Sequence, residues 1–272
     1  MKTRVMSGIA IGVILLIVLL SGGYVLAAVL LILSEIAYFE LMRATGIHQK
    51  EHRCNGIELC GYIAVALHYV LMVLTGNDIR YFLISILFVF FAVMIVYVLT
   101  FPKYNAQQAM TAIFSFLYAP MMLSFIYMLR MVPYGRFIVW VPFVAWICDT
   151  FAYLCGRAFG KHKLCPKLSP KKTIEGAIGG VIGSVAAGAV FGMVLSKFAT
   201  HDSNMVWIFM VITLVAGMIS QIGDLAASGI KRDHQIKDYG NLIPGHGGIM
   251  DRFDSVIFVT PMVYLLAVFF MR

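Results

Sequence analysis

Between Ser228 and Asp254 an otherwise apolar chain carries the cations Lys231, Arg232, Lys237 and Arg252, the turn Gly245-His246-Gly247-Gly248 and the carboxylates Asp251 and Asp254. Cations and successive backbone amides bind phosphate oxygens, and hard carboxylate oxygens bind Mg2+, which commonly takes one or two of them and shares the substrate's phosphates. The stretch therefore suits a metal-bound polyphosphate. Asp224, Ser228, Lys231 and Arg232 stand at i, i+4, i+7 and i+8, one stripe of a helix leaving the apolar region, and Asp251 and Asp254 can share a face of the next helix. On this reading Asp224, Asp251 and Asp254 hold the metal and Lys231 and Arg232 act with them on the reacting phosphates. Ser228, Lys237, His246, Gly247, Gly248 and Arg252 then bind substrate. The plainer reading makes the carboxylates salt-bridge partners of Lys231, Arg232 and Arg252, and His246 a turn residue. Asp233 and Asp238 read as solvated loop charges.

Two earlier polar blocks interrupt the apolar chain, where charge is costly unless it faces water or a partner. Asp149 shares a helical face with Tyr153, Gly156 and Arg157, as a cavity-lining, substrate-binding group or as a contact of Arg157. In Ser169-Pro170-Lys171-Lys172-Thr173, Ser169 reads as a helix cap and Pro170 as the first helical residue. Its free amides, with Lys171, Lys172 and the Thr173 hydroxyl, would form an anion site; the bland alternative is a basic loop that only sets topology. The span that follows holds Gly176, Gly179, Gly180, Gly183, Gly188 and Gly192, a small face for close helix packing. Cys54, Cys60, Cys148, Cys155 and Cys165 have no zinc-site spacing and read as structural.

The elements that must position these groups follow from composition. Of 272 residues 61% are hydrophobic and 12% charged, with a mean hydropathy of +0.90, well outside soluble-domain usage. A helix needs roughly 20 apolar residues to cross a bilayer, and runs near 5–21, 24–42, 55–74, 81–100, 107–130, 136–156, 175–197, 205–228 and 253–271 meet that length. They are continuous rather than alternating, which excludes a transmembrane β-barrel. The expected fold is all-α, a polytopic transmembrane bundle of about nine spans. Its first run is expected to be retained rather than cleaved, because the second begins directly after Gly22-Gly23.

With the amino terminus cytoplasmic and the carboxyl terminus outside, only Arg80, Arg130, Arg136, Lys197 and Arg272 of the 21 Lys and Arg face outward. That bias favours this orientation. Basic residues in short membrane-flanking loops suit anionic lipid headgroups or nucleotides rather than nucleic acid. Residues 1–135 hold few candidates for chemistry and read as scaffold; residues 136–272 read as the catalytic region.

Ser228-x-x-Lys231-Arg232-x(4)-Lys237-Asp238 followed by Pro244-x-His246-Gly247-Gly248-x-x-Asp251-Arg252-x-Asp254 resembles the signature of the phosphatidate cytidylyltransferases, or CDP-diacylglycerol synthases. The segments Asp149 to Tyr153, Gly160 to Lys163 and Ser169 to Thr173 are similar to that family's other blocks, with Phe151 where glycine is also expected. The resemblance implies an integral enzyme of a bacterial plasma membrane, its site facing the cytoplasm. Its reaction would convert CTP and phosphatidate to CDP-diacylglycerol and pyrophosphate, with catalytic cations at Asp224, Asp251 and Asp254. A second cation and a homodimer are left open. The competing readings are an ion or metabolite transporter using intramembrane Asp149 and Asp224, and a related CTP-dependent enzyme acting on another lipid.

Overall fold

Apolar runs that must satisfy their backbone groups internally form helices. Helices make up most of the computed structural model, which describes residues 2–48, 54–76, 78–243, 245 and 247–271, without the side chains of residues 2–7, 9 and 79. Helices α1 (Lys2–Ser21) and α2 (Gly23–Ala44) are parted at Gly22, where φ is 62°, followed by 50° at Gly23. Both values lie in the left-handed region that glycine enters without a Cβ clash. Next come α3 (Gly56–Leu74), α4 (Ile79–Leu99) and α5 (Ala106–Phe116). Capping boxes start α3 at Asn55 with Glu58, and α5 at Asn105 with Gln108. A π-helical turn, Leu117–Met121, carries α5 into α6 (Met122–Met131) and contains Pro120, whose missing N–H a widened turn accommodates.

The later elements are α7 (Gly135–Ile138), α8 (Val144–Phe159), strands β1 (Lys163–Cys165) and β2 (Ser169–Thr173), then α9 (Ile174–Leu195), α10 (Asn204–Asp233) and α11 (Met250–Phe270). Among the described residues eight helical spans are long and apolar enough to cross a membrane, and Ala10–Ser21 adds a shorter apolar helix. The expected all-α polytopic bundle is therefore found.

The segment at residues 169–173 corrects the expected helix start. It pairs antiparallel with β1, Ser169 opposite Cys165 and Thr173 opposite Lys163. A residue before proline is pushed to extended backbone, so Pro170 keeps Ser169 in a strand rather than at a helix cap. The cap falls four residues later, where Thr173 Oγ1 accepts the Gly176 N–H at 3.2 Å. Two hydroxyl residues precede the same apolar run, and the sequence rule chose the wrong one.

The chain forms two compact units, one of Met1–Tyr127 with His234–Arg252, the other of Met128–Asp233 with Phe253–Arg272. In the first, α2 packs on α1, α3 and α5 around Leu26, Leu30, Leu41, Met42 and Ile57. Two polar pairs lie inside it, Ser34 Oγ with Tyr69 OH at 2.8 Å and His68 Nε2 with Ser124 Oγ at 2.9 Å.

In the second unit the expected small face of α9 is buried at Gly176, Gly180, Gly183, Gly188 and Gly192. A Cβ on Gly180 would stand 2.8 Å from the Cys148 carbonyl of α8, and one on Gly192 would stand 2.7 Å from Val206 Cα of α10. Phe151 lays its ring on Gly183, so its bulk is matched by a missing side chain across the interface. Gly180→Leu should cost about 1–3 kcal/mol by overpacking, seen as earlier thermal unfolding of the purified protein in detergent. An unchanged midpoint would contradict this packing.

Candidate active site

A glycine sets how closely α10 meets α11. A Cβ on Gly223 would stand 2.9 Å from the Asp254 carbonyl and 3.0 Å from Phe258 Cβ, so the helices approach only because none is there. Asp224 follows on α10. Across from it half-buried Asp254 lies in the repulsive field of Asp224 and Asp149 and the attractive field of Lys231. Its Oδ1 accepts the Ser255 N–H at 2.7 Å and hydroxyl at 3.2 Å. Ser228 donates to Asp224 Oδ1 at 3.4 Å, as their four-residue spacing predicts.

Like charges gathered in a low-dielectric bundle repel and need compensation. The hairpin supplies some of it. Successive side chains of a strand face opposite ways, so Lys171 is exposed while Lys172 Nζ pairs with Asp224 Oδ2 at 2.5 Å. The two partners are only 25% and 26% exposed, intermediate between a surface ion pair and a buried one.

Two contacts hold the hairpin there, and a third ties α9 to α10. Glu175, in the first turn of α9, accepts the N–H groups of Lys161 at 3.0 Å and His162 at 3.2 Å and pairs with His162 Nδ1 at 2.7 Å. Buried Thr173 fits against Gly156 and Gly176, where a Cβ would come within 2.9 Å of its Oγ1. Gln221 of α10 donates to the Ala177 carbonyl at 2.9 Å. Ser169 sits half-buried at the start of β2, and Arg157 Nη1 lies 3.5 Å from Tyr153 OH on the predicted shared face.

In the first unit the glycine-rich loop closes on itself. Ile243 N–H donates to Gly247 O at 2.9 Å, and Gly245 and Gly247 take φ of 78° and 82°. A Cβ on Gly247 would stand 2.8 Å from Asp251 Oδ2, so glycine is required there twice over, by conformation and by room. Asp251 Oδ2 accepts the N–H groups of Tyr239 at 2.8 Å and Gly248 at 3.0 Å. The next two amides, Ile249 and Met250, donate to Glu40 at 3.1 Å and 2.8 Å. Of the donors read from the sequence as a phosphate cradle, the Gly248 N–H is thus held by the protein's own Asp251. Lys237 is exposed and Arg252 half-buried in this unit, and Arg232 is exposed in the other. His246 lies outside the described residues.

The match to known proteins spans the whole chain. Residues 2–270 match the Cytidylyltransferase family. The chain belongs to this family. Relatives from Staphylococcus saprophyticus, Staphylococcus epidermidis and Staphylococcus aureus, each named phosphatidate cytidylyltransferase, are 34% identical to it over 98% of this chain and 99% of their own length. Membership of the cytidylyltransferase family agrees with the resemblance carried by the Ser228 to Asp254 stretch.

The residues fit a hard cation in one way and not in another. Among the described residues no group of three or more His, Cys, Asp or Glu forms a cage. Asp224 and Asp254, with Asp149 near enough to repel, are carboxylates of the kind that would suit an ion borrowing its remaining ligands from phosphates and water. Asp251 belongs to the other unit, with one oxygen engaged by loop amides.

Sequence reasoning missed Glu40 and Glu175. The signal for Glu40 was an acid inside an apolar run, where an unpartnered charge is costly. Removing Glu175 as Glu175→Ala leaves the Lys161 and His162 amides without their acceptor. At about 1 kcal/mol per bond, their hydrogen exchange should rise roughly fivefold or more, with α10 unchanged. Equal exchange in both proteins would show that Glu175 does not hold the hairpin.

Proposed function

We propose that this chain transfers the cytidylyl group of CTP to the phosphate of phosphatidate, giving CDP-diacylglycerol and pyrophosphate. The observation that carries the reading is the Lys172–Asp224 pair, which unites two separately predicted blocks of the signature at one place. The names and near-complete overlap of the relatives support the same reaction.

In that reaction a phosphatidate oxygen attacks the α-phosphorus of CTP. A new P–O bond forms as the bond to the β-phosphate oxygen breaks, and the electron pair leaves with pyrophosphate. The attacking oxygen is already anionic, so no strong general base is needed. Placement and charge neutralisation supply the rate.

Lys172 and Lys231, both next to carboxylates, meet the phosphates as they gather charge. Exposed Lys171, Arg232 and Lys237, with Arg252, draw CTP and the lipid headgroup from solvent and membrane surface. Asp224 and Asp254 would hold Mg2+, which when bound offsets charge on entering and leaving oxygens; Asp251 is carried as a further ligand on the sequence signature alone. Asp149 adds to the repulsion at Asp254, which a bound cation would relieve. Residues 136–272 carry most groups that touch substrate, and the site faces the cytoplasm of a bacterial plasma membrane. The skew of Lys and Arg to that side supports the orientation.

The test is a mixed-micelle assay with CTP, phosphatidate and Mg2+, following CDP-lipid and pyrophosphate. Wild type should form both in equal amounts, and a chelator or Asp251→Asn should abolish turnover. Lys172→Ala should cost roughly 100-fold in kcat, the scale of losing a preorganised charge partner, and Lys171→Ala far less. No product from wild type, or equal effects of the two lysine variants, would refute the assignment.

A further inference from the structure

We infer that Glu40 is a positioning residue for cytidylyl transfer, acting from α2 on the loop that carries Asp251; the inference rests on the reaction proposed above. Glu40 is only 2% exposed, although it is a carboxylate in a membrane-spanning helix. Such burial is tolerated where donors replace water, and the donors here are amides at the start of α11. Oε1 accepts from Ile249 at 3.1 Å and Oε2 from Met250 at 2.8 Å. The first amides of a helix have no partner within it, and a negative charge there also meets the positive end of the helix dipole. Glu40 thus caps α11 from a residue two hundred positions away in sequence.

Two glycines of the loop are shaped to this carboxylate. A Cβ on either Gly240 or Gly248 would overlap the Glu40 carboxylate, and a Cβ on Gly240 would also stand 2.9 Å from Gly248 Cα. Bare backbone on both sides lets the loop close over the side chain. One turn further along α2, Arg43 Nη2 donates to the Tyr239 carbonyl at 2.5 Å. The same residue's N–H goes to Asp251 Oδ2, which also takes the Gly248 N–H.

The end of α2 therefore grips the loop at two points, Glu40 on its last amides and Arg43 on its first carbonyl. Asp251 lies between those points and is aimed by the amides they place. Arg43 attracts Glu40 and Asp251 repels it, so the arrangement needs the full set.

The experiment uses the full-length protein in phosphatidate mixed micelles. Glu40→Gln keeps the shape but replaces one acceptor oxygen by a donor group facing an amide. Hydrogen exchange across residues 239–250 should rise about tenfold while α9 and α10 keep their protection. kcat should fall toward the roughly 100-fold scale of a misplaced reacting group, with a raised KM for CTP. A purely structural role would lower the active fraction at wild-type KM.

Arg43→Met leaves the carboxylate intact and should show the same pattern more weakly; it decides the matter if Glu40→Gln does not fold. Wild-type KM, or wild-type exchange of the loop, in the variant that folds overturns the inference. Should wild type form no CDP-lipid, the proposed reaction fails instead, and the exchange result still reads the grip on the loop.

Discussion

A carboxylate inside an apolar helix bundle is costly without a counter-charge or donated hydrogen bonds, and the carboxylates around the candidate site meet that requirement. Asp224 receives Lys172 from the hairpin, Asp254 receives Ser255 and the field of Lys231, and Glu40 and Asp251 receive loop amides. The magnitudes decide what such contacts are for. A fully buried ion pair is close to neutral against a packed apolar alternative, whereas removing one partner costs about 3–5 kcal/mol. The Lys172–Asp224 pair is partly exposed and falls below that upper figure. It therefore contributes less to overall stability than to holding a strand end and a helix face in one geometry.

Helix packing supplies the rest of that geometry. α9 presents glycine to α8 on one side and to α10 on the other, so the three helices approach until side chain meets backbone. Gly223 does the same for α10 and α11, with a carboxylate beside it on each helix. Dispersion over such short separations replaces the hydrophobic drive that lipid surroundings do not provide. Phe151 against Gly183 shows the rule from the other direction, since bulk on α8 is accepted where α9 has none.

Much of this was legible in the chain itself because length and hydropathy constrain membrane spans strongly. Span positions, the small face of α9, and Asp224 with Ser228 on one helical stripe all follow from periodicity. Ser169 to Thr173 misled because cap signals and strand signals overlap: a hydroxyl, a proline and two lysines suit either, and only pairing with Lys163 to Cys165 decides. Gly248 misled differently. Glycine permits close approach of any anion, and here Asp251 takes the Gly248 N–H while Glu40, from a helix remote in sequence, lies where a Cβ would stand. Such a contact has no local pattern, so Glu40 stayed unread in a region that composition marked as scaffold.

The central claim is that hairpin and α10 act through one ion pair at the reacting phosphates. CDP-lipid formation by Lys172→Ala, Asp224→Asn and the double variant, in the same micelles, tests it most directly. Groups that work as a unit are strongly non-additive, so the double variant should lie within about threefold of the worse single variant. Losses that multiply would show that Lys172 and Asp224 act independently, and the account would be wrong.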